Sequence, residues 1–496
     1  MISQEKLNTT LWDAANSSRG IVDASIFKDY ALTMLFFKYI SDMHKVELAQ
    51  LIEKYGKDNP RLEIKKNNMR FKIPEGASFD KVLEQISADN LGEIINKALH
   101  AIEEANEEHL KDIFTVDFNS QSILGQADQR NQMLSNLLRD FASIDLTEAG
   151  KSDILGKSYM YLLKQFASDA GKKAGEFFTP ETVSKLLAKL AMPKKGDRIC
   201  DPTCGSGSLL IQVAEEVGSD DYAIYGQEKV GSTYNLARMN MFIHNINDAK
   251  IFWGDTLNNP LIRDEKGLQK FEIVVANPPF SLDKWGAENL ESDEFHRFHR
   301  GMPPKSKGDY AFISHMVEVA KEREGRVSVI VPHGVLFRGA SEAAIRKSLI
   351  EENILDAVIG LPSGLFQTTG IPVAILIFDK SRQLGGANEN RKDILFIDAS
   401  KEYIQNKTQN ELSNEIIDKI YTTYKERKEI EKYSHKASYE EVKENNYNLN
   451  IPRYVDTFEE EEQVDMKEIA GKIESLEKEL ETVKKAMQEH LKNLGL

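Results

Sequence analysis

A motif of four residues, Asn277-Pro278-Pro279-Phe280, comes directly after an apolar run at 272–276 and has the residue types needed to hold an amino group. Two consecutive prolines remove two N–H donors and keep the preceding residue out of helical conformation. The amide oxygen of Asn277 and the backbone carbonyl of Pro278 can therefore accept hydrogen bonds from an NH₂ group. Phe280 offers a flat face on which a planar base can stack. The alternative is a proline-rich turn with a core aromatic side chain, and the motif alone does not exclude it.

A glycine-containing turn at 201–207, with the sequence Asp-Pro-Thr-Cys-Gly-Ser-Gly, connects a predicted strand to a helix predicted from Leu209. Glycine lets the backbone approach a ligand closely, and the helix start offers free N–H groups. The next predicted strand ends at Glu228, 21 residues after Gly207, where a carboxylate can accept hydrogen bonds from both hydroxyls of a ribose. The dinucleotide fingerprint and the phosphate-loop pattern are both incomplete or absent, so a nucleoside without pyrophosphate is the predicted ligand. A Gly-x-Gly turn by itself is equally typical of a tight connection.

A third candidate segment, 175–181, has the sequence Gly-Glu-Phe-Phe-Thr-Pro-Glu. Thr179 is predicted to be the N-cap of a helix and Pro180 its first residue. On its own the segment is a good helix start. Its position just upstream of the strand that leads to Asp201 favours a functional role.

The elements that must position these motifs follow an α/β pattern. Short apolar runs alternate with amphipathic stretches, which predicts βαβ units and a mostly parallel sheet covered by helices on both faces. The runs are 198–200, 223–225, 250–253, 272–276, 326–331, 355–361 and 373–378. The last run follows its predecessor too closely for a crossover helix, so we expect an antiparallel edge strand or a hairpin.

Different patterns flank this unit. Residues 1–150 show helical spacing of apolar residues and few strand signals, which predicts a helical domain. We expect this domain to make DNA or partner contacts. The predicted catalytic domain covers 151–400, and a helical tail covers 401–496. Within the tail, residues at about 468–494 predict a coiled-coil helix whose apolar stripe should pack on another chain or on the helices of this one. The stripe consists of Ile469, Ile473, Leu476, Leu480, Val483 and Met487.

Composition limits the functional classes. The net charge of −15, from 64 basic and 79 acidic residues, argues against a chain that grips DNA alone, because Lys and Arg supply most non-specific affinity. We predict a cytoplasmic protein, because neither a secretory signal nor a membrane span is recognisable and two cysteines fit a reducing compartment. No metal site is predicted, because Cys200 and Cys204 lack further Cys or His ligands nearby.

Two local basic clusters leave alternatives open. The segment 57–72 is either a solvated loop or a phosphate contact. The segment 296–300, His-Arg-Phe-His-Arg, is either a clamp on DNA or a mobile surface loop. For His333, after the predicted strand 326–331, a role in loop packing is preferred over a place in the site.

Taken together and in this order, the three motifs resemble the amino-methylating class of DNA methyltransferases. More closely, the chain resembles the modification (M) subunit of type I restriction-modification systems. The resemblance covers most of the chain. It includes Leu11-Trp12-Asp13-Ala14-Ala15, Arg19-Gly20 through Lys38-Tyr39-Ile40-Ser41-Asp42, and Ile359-Gly360-Leu361-Pro362 with Phe366.

The resemblance implies a Rossmann-like methyltransferase fold that uses S-adenosylmethionine to methylate the exocyclic amine of adenine. It places a flipped adenine of double-stranded DNA against the catalytic residues Asn277, Pro278, Pro279 and Phe280. It assigns the methionine part of the cofactor to Glu176, Phe177, Phe178, Thr179, Pro180 and Glu181. The methionine amino group and the ribose fall to Asp201, Gly205, Ser206, Gly207, Ser208 and Glu228, and the cofactor's adenine amine falls to Asp255.

The resemblance also implies a motor-nuclease (R) partner. Only 118 residues follow residue 378, which leaves little room for a target-recognition domain, so we expect a separate specificity (S) subunit to read the DNA. Four alternatives stay open from the sequence: a solitary DNA methyltransferase, a protein glutamine methyltransferase, an inactive scaffold, and methylation of a cytosine amine.

Overall fold

The structure, a computed structural model, describes residues 4–16, 24–147, 154–170, 179–290, 292–366, 370–406, 409–457 and 466–493. Residues 1–455 form one compact unit and residues 456–496 form a second, smaller one. The two units are described separately below.

The N-terminal part of the first unit is helical. Its helices are α1 (Gln4–Asn16), α2 (Ala24–Tyr55), α3 (Pro60–Lys66), α4 (Phe79–Leu83), α5 (Leu91–Ala105), α6 (Glu107–Leu110), α7 (Gln121–Leu124), α8 (Ala127–Ala142) and α9 (Ile154–Ala170). The long helix α2 is buried along most of its first half, and even its ion pair between Lys38 and Asp42 is buried. Asp42 also accepts a hydrogen bond from the backbone of Leu146, so this buried carboxylate is doubly satisfied.

A nine-stranded sheet forms the rest of this unit. Its strands are β1 (Arg198–Asp201), β2 (Ala223–Glu228), β3 (Lys250–Trp253), β6 (Ile273–Ala276), β7 (Arg326–Pro332), β8 (Leu355–Gly360), β9 (Val373–Asp379), β10 (Ile394–Asp398) and β11 (Ser434–Ala437), in the order 11-10-8-9-7-6-1-2-3. Two short strands, β4 (Arg263–Asp264) and β5 (Gly267–Leu268), form a separate hairpin. All pairings in the large sheet are parallel except those made by β9 and β11.

Helices cover both faces of the sheet, as the alternating pattern predicted. They are α10 (Glu181–Ala191), α11 (Ser208–Val217), α12 (Gly231–Ile243), α13 (Asp309–Val319), α14 (Gly334–Phe337), α15 (Ala340–Glu351), α16 (Asn414–Glu426) and α17 (Tyr439–Glu444). Apolar residues of α10, α11 and α16 pack in one core layer, and those of α13, α15 and α17 pack in the other. Strands β6, β8 and β9 are buried along their whole length, because both of their faces are covered.

All seven predicted strands are present, and the Rossmann-like class is confirmed. Strand β9 is antiparallel, as expected, but it lies between β8 and β7 rather than at an edge. The edge-strand alternative was therefore wrong and the hairpin with β8 is correct. Strand β11, which falls in the segment predicted to be a helical tail, pairs with β10 and extends the sheet.

Helix α12 joins the helical part to the sheet. Leu236, Met239 and Phe242 on α12 belong to the apolar core of the N-terminal helices. Arg70 reinforces this contact, because its guanidinium donates to the hydroxyl of Tyr39 (2.9 Å) and to the carbonyl of Phe242. Within the basic segment 57–72, Arg70 is therefore part of the internal packing, while both interpretations of its exposed basic neighbours remain predictions.

The second unit contains helix α18 (Met466–Asn493). Its apolar stripe is exposed at Ile473, Leu476, Leu480, Val483 and Met487, with between 53% and 64% of each residue accessible to solvent. The C-terminal helix predicted at about 468–494 is thus present. Across the described residues of both units, no helix combines the length and apolar character that crossing a membrane requires.

Candidate active site

The predicted site residues meet at one edge of the sheet. Asp201 ends β1, Glu228 ends β2, Asp255 follows β3 and Asn277 follows β6. Because β6, β1, β2 and β3 are parallel neighbours in that order, their carboxyl ends open into one crevice. Ligands of open α/β sheets bind in such crevices.

The glycine-containing turn is fastened to the end of β2. The backbone N–H of Gly205 donates to Oε2 of Glu228 (3.0 Å), and the N–H of Val230 donates to its Oε1 (2.7 Å). Gly207 has a φ of 77°, and a Cβ there would come within 2.7 Å of the Met241 side chain. Only glycine fits this position, which keeps the backbone close to the crevice at the start of α11.

The Glu228 carboxylate offers several acceptor sites. A carboxylate has about four lone-pair sites, and each backbone donor occupies one of them. The two contacts fix the orientation of the carboxylate at the mouth of the turn. This is the geometry expected of a group that accepts hydroxyl hydrogens.

Asp201 is a buried carboxylate with few donors. It is 2% exposed and accepts a hydrogen bond from the backbone N–H of Thr203 (2.9 Å). Burial, reinforced by the nearby charge of Glu228, raises the pKa of Asp201 to about 7. A cationic group in the crevice would favour its ionised form.

Asp255 is held by its own loop. Its Oδ1 accepts from the backbone N–H groups of Leu257 (2.9 Å) and Asn258 (3.1 Å), and its Oδ2 pairs with Lys229 (2.8 Å). Burial by itself raises the pKa of Asp255, but hydrogen bonding to Lys229 and Asn258 outweighs it, so the pKa lies below its ordinary value. Asp255 therefore stays an ionised acceptor at neutral pH.

The two polar atoms of the Asn277 side-chain amide differ in their hydrogen bonding. Its amide Nδ2 donates to the hydroxyl of Thr179 (3.1 Å). Its Oδ1 is buried, and no donor among the described residues reaches it. A buried acceptor without a partner costs stability, so it identifies a place where a ligand donor is expected.

The aromatic ring of the motif lies beside this acceptor in sequence. Phe280 is half-buried, and its ring meets the buried ring of Phe366 edge-on, with 5.8 Å between the centroids and 75° between the planes. The T-shaped contact is not a face-to-face stack, and a single ring such as Phe366 can cover at most one of the two faces of Phe280. A planar base could therefore still stack on Phe280.

Thr179 has a different role from the predicted one. The N-cap of α10 is Pro180, and the first helical residue is Glu181, so the prediction of Thr179 as N-cap was wrong. The hydroxyl of Thr179 is instead the acceptor for Asn277, which lies 98 positions later in the chain. Glu176, Phe177 and Phe178, which complete this predicted segment, lie outside the described residues.

The basic segment 296–300 fits neither sequence interpretation at its arginines. Arg297 is 1% exposed and binds Asp293 and the backbone carbonyls of Thr256 and Leu257. Arg300 is paired with Glu318 and Glu352. The hydrogen bonds of Arg297 fix the segment against the loop that follows β3, and the ion pairs of Arg300 fix it against α13 and the end of α15. His333 packs a loop as expected, because its Nε2 lies 3.2 Å from the carbonyl oxygen of Val373.

The sequence motifs did not point to two side chains that border the crevice. Asn258 contacts the Asp255 carboxylate and donates to the carbonyl of Trp285 (2.8 Å), so it joins two loops. Trp253, at the end of β3, is 63% exposed and donates to the carbonyl of Lys229. The sequence signal that could have identified Trp253 is a tryptophan at the end of a predicted strand. An exposed tryptophan ring usually has a polar or stacking partner, so its position there indicates a binding role.

The residues present fit S-adenosylmethionine as a ligand. Two carboxylates, at Asp201 and Glu228, flank a turn whose backbone can approach closely. The hydroxyl of Ser206 is buried in this turn, and no partner for it is found in the described part of the chain. A nucleoside with a cationic amino acid end offers the matching donors and charge.

Comparisons with known proteins agree with this geometry. The family model of the N-6 DNA methylases matches residues 150–463, and the model of the HsdM N-terminal domain matches residues 7–141. The chain is 34% identical to the type I restriction enzyme MpnII methylase subunit of Mycoplasma pneumoniae, over 94% of this chain and 92% of that protein. It is 33% identical to the MjaVIII methylase subunit of Methanocaldococcus jannaschii, over 96% and 82% respectively.

A solved structure is also similar over nearly the whole chain. The type I restriction-modification methyltransferase subunit from Streptococcus thermophilus superposes with a TM-score of 0.83 at 36% identity and covers 92% of this chain and 100% of that one. Family match, sequence identity and structural likeness all point the same way. This chain belongs to the N-6 DNA methylase family, among the methylase subunits of type I restriction enzymes.

Proposed function

We propose that the chain transfers a methyl group from S-adenosylmethionine to the exocyclic amine of an adenine flipped out of double-stranded DNA. The buried Oδ1 of Asn277, which no donor among the described residues reaches, is the observation that carries this proposal. It is a fixed acceptor at the carboxyl end of β6, in the crevice where the methyl donor would lie. An NH₂ group supplies the donor that this oxygen lacks.

Asn277 and Pro278 act on the amine. The target base leaves the helical stack at a cost on the order of a few kcal/mol, and stacking on Phe280 offsets part of it. The amine then donates to Oδ1 of Asn277 and to the Pro278 carbonyl. These acceptors oppose delocalisation of the nitrogen lone pair into the ring, and they stabilise the positive charge that develops during attack.

The two prolines keep this geometry rigid. Pro279 has no N–H, so no backbone donor at that position competes for the acceptors. The hydrogen bond from Asn277 Nδ2 to Thr179 fixes which end of the amide faces the base. A strong general base is unnecessary, because the nitrogen proton becomes acidic only after transfer.

The remaining predicted residues would hold the cofactor, whose sulfonium supplies the activated methyl group. The methionine part would contact Glu176, Phe177, Phe178, Thr179, Pro180 and Glu181. The amino group and the ribose would lie along Asp201, Gly205, Ser206, Gly207, Ser208 and Glu228, with Asp255 on the adenine amine. The raised pKa of Asp201 and the fixed carboxylate of Glu228 support this arrangement.

The chain would carry out the chemistry within a larger assembly. We assign DNA and partner contacts to residues 1–150, catalysis to the sheet-containing part of the first unit that follows them, and assembly to helix α18 (Met466–Asn493). A specificity subunit would read the sequence, and a motor-nuclease subunit would complete the restriction complex. The net charge of −15 supports this division, because sequence-independent DNA affinity requires basic surface.

The direct test is transfer of tritiated methyl groups to unmethylated DNA, by this chain alone and with its candidate specificity subunit. We expect activity only in the mixture, recovered as N6-methyladenine. Label recovered as methylcytosine would change the target base. Activity of the chain alone would make it a solitary methyltransferase. Label recovered on protein instead of DNA would support a glutamine methyltransferase.

Helix α18 would dock the specificity subunit through its exposed apolar stripe. Leu480→Glu places a charge in this stripe and should weaken assembly, whereas Thr482→Glu adds the same charge outside it. Both residues are exposed, so neither change disturbs a core. Equal assembly of the two variants with the specificity subunit, measured by analytical ultracentrifugation, would contradict this docking role.

A further inference from the structure

The residue directly after Phe280 has an unusual backbone conformation. Ser281 has a φ of 51°, in the left-handed region that side chains other than glycine rarely adopt. Such a conformation persists only where the surroundings impose it. The direction in which the chain leaves Phe280 is therefore fixed by whatever holds Ser281.

One buried carboxylate holds it. The backbone N–H of Ser281 donates to Oδ1 of Asp309 (2.8 Å), and Asp309, the first residue of α13, is 3% exposed. The other oxygen of Asp309 accepts from Nη2 of Arg338. Arg338 follows α14 and also forms an ion pair with Glu342 (2.7 Å). Asp309 thus joins the segment after β6 to the segment after β7.

The contacts of Asp309 restrict the orientation of the Phe280 ring. The position of this ring is limited by the edge-on contact with Phe366 and by the covalently adjacent, fixed Ser281. Asp309 is buried, and its hydrogen bonds run to Ser281 and Arg338, so it reaches the site through the segment that carries Phe280. We propose that Asp309, supported by Arg338, is a positioning residue that sets the orientation of Phe280 for stacking on the target base.

This inference rests on the proposed function and adds a residue to it. A buried aspartate that only stabilised the fold would affect every reaction parameter through the folded fraction. A residue acting through Phe280 affects the rate only while the ring is present. A double-mutant cycle separates these cases.

The test uses the assembly of this chain with its specificity subunit and a cognate duplex, under single-turnover conditions. We expect Asp309→Ala to lower the transfer rate roughly tenfold, at the low end of what a base–aromatic contact supplies. Phe280→Ala should lower it at least as much. The double variant should be no slower than Phe280→Ala, and S-adenosylmethionine affinity should stay within about twofold.

Asp379 provides a matched control. It is 2% exposed, accepts from the backbone N–H of Ser381 (2.9 Å) and pairs with Arg326 (2.9 Å), but it lies at the opposite end of the strands. Asp379→Ala should lower the melting temperature as Asp309→Ala does. Its effect on the transfer rate of the folded protein should be small and independent of Phe280.

Asp309→Asn is the conservative variant, since its amide oxygen can still accept from Ser281 although its NH₂ group would face Arg338, and it should recover part of the rate. If Asp309→Ala does not fold, the same cycle with Arg338→Lys decides. Additive losses in the cycle, or a parallel loss of cofactor affinity, would overturn the role of Asp309 alone. A wild-type assembly that binds DNA but methylates no adenine would overturn the proposed function as well.

Discussion

On the proposed cofactor side of the crevice, the carboxylates of Glu228 and Asp255 accept hydrogen bonds from backbone N–H groups of the surrounding loops. On the target side, the amide oxygen of Asn277 is buried and no described residue donates to it. The first arrangement is stable without a ligand. The second carries a cost that a base amine would remove. The comparison shows that two carboxylates proposed to bind the cofactor are satisfied in advance, whereas the acceptor proposed to act on the reacting amine is kept open.

The largest expected effect comes from removing the open acceptor. Asn277→Ala should lower methyl transfer by on the order of 100- to 1000-fold, the usual loss for one group that stabilises developing charge. Cofactor affinity, measured by calorimetry, should change by less than about threefold, since the free energy at stake is below that of one hydrogen bond. Equal loss of both would contradict the assignment of Asn277 to the target side.

Asn106 sharpens this contrast, because it is a buried asparagine whose amide is fully engaged. It donates to the carbonyls of Lys72 and Ile102 and accepts from the N–H of Lys72. Asn106→Ala should reduce the melting temperature without reducing the transfer rate of the folded protein. Asn277→Ala should do the reverse.

The second-largest expected effect is on cofactor binding by Glu228. In Glu228→Gln, one of the two backbone donors at Gly205 and Val230 would face an amide NH₂ group rather than an oxygen. Loss of charge-assisted hydrogen bonds should lower the affinity for S-adenosylmethionine about 10- to 100-fold. The transfer rate at saturating cofactor should be largely retained. Glu272→Gln is the control, because Glu272 pairs with Arg198 at the other end of the strands. A large fall in the saturated rate of Glu228→Gln would contradict the separation of the two sides.

The sequence predicts the helices and strands of this protein better than it predicts the contacts between them. Strands β6 and β8 are buried on both faces, so they appear as short apolar runs and were predictable. Strand β11, Ser-His-Lys-Ala, has no apolar run, and only its pairing with β10 makes it a strand. The placement of β9 between β7 and β8 likewise depends on long-range pairing.

Contacts within the site were less accessible than residue types. The motif containing Asn277 predicted an acceptor, and the structure supplies one. The hydrogen bond from Asn277 to Thr179 joins residues far apart in sequence, and no local pattern announces it. Arg297 and Arg300 suggested a surface cluster because their partners, among them Asp293 and Glu318, are brought to them only by folding.

A third effect depends on pH. The pKa of Asp201 is raised from its ordinary 3.8 to about 7, chiefly by burial. The folded state therefore holds a proton that the unfolded state has released, and the contribution of this group to stability falls as pH rises from about 4 to about 7. Asp201→Asn should remove this component, measured as the difference in urea unfolding midpoints between pH 5 and pH 8.

The same ionisation should affect the cofactor. If the cationic amino group of S-adenosylmethionine lies along Asp201, its affinity for the wild-type protein should rise as pH increases through about 7, the range in which Asp201 ionises. Asp201→Asn should bind more weakly and with a flatter pH profile. Identical profiles for the two proteins would remove Asp201 from the cofactor side.

The smallest expected effect tests the residue that joins the two sides. Thr179 was predicted on the cofactor side, yet its hydroxyl anchors the amide of Asn277. Thr179→Val keeps the shape of the side chain and removes the acceptor, so the Asn277 amide loses its preferred orientation. One neutral hydrogen bond corresponds to about 1 kcal/mol, which predicts roughly a fivefold lower transfer rate with nearly unchanged cofactor affinity. Thr179→Ser, which keeps the hydroxyl, should retain the wild-type rate. Weaker binding of the cofactor with an unchanged transfer rate would instead place Thr179 on the cofactor side. The orientation of the Asn277 amide would then depend on the prolines alone.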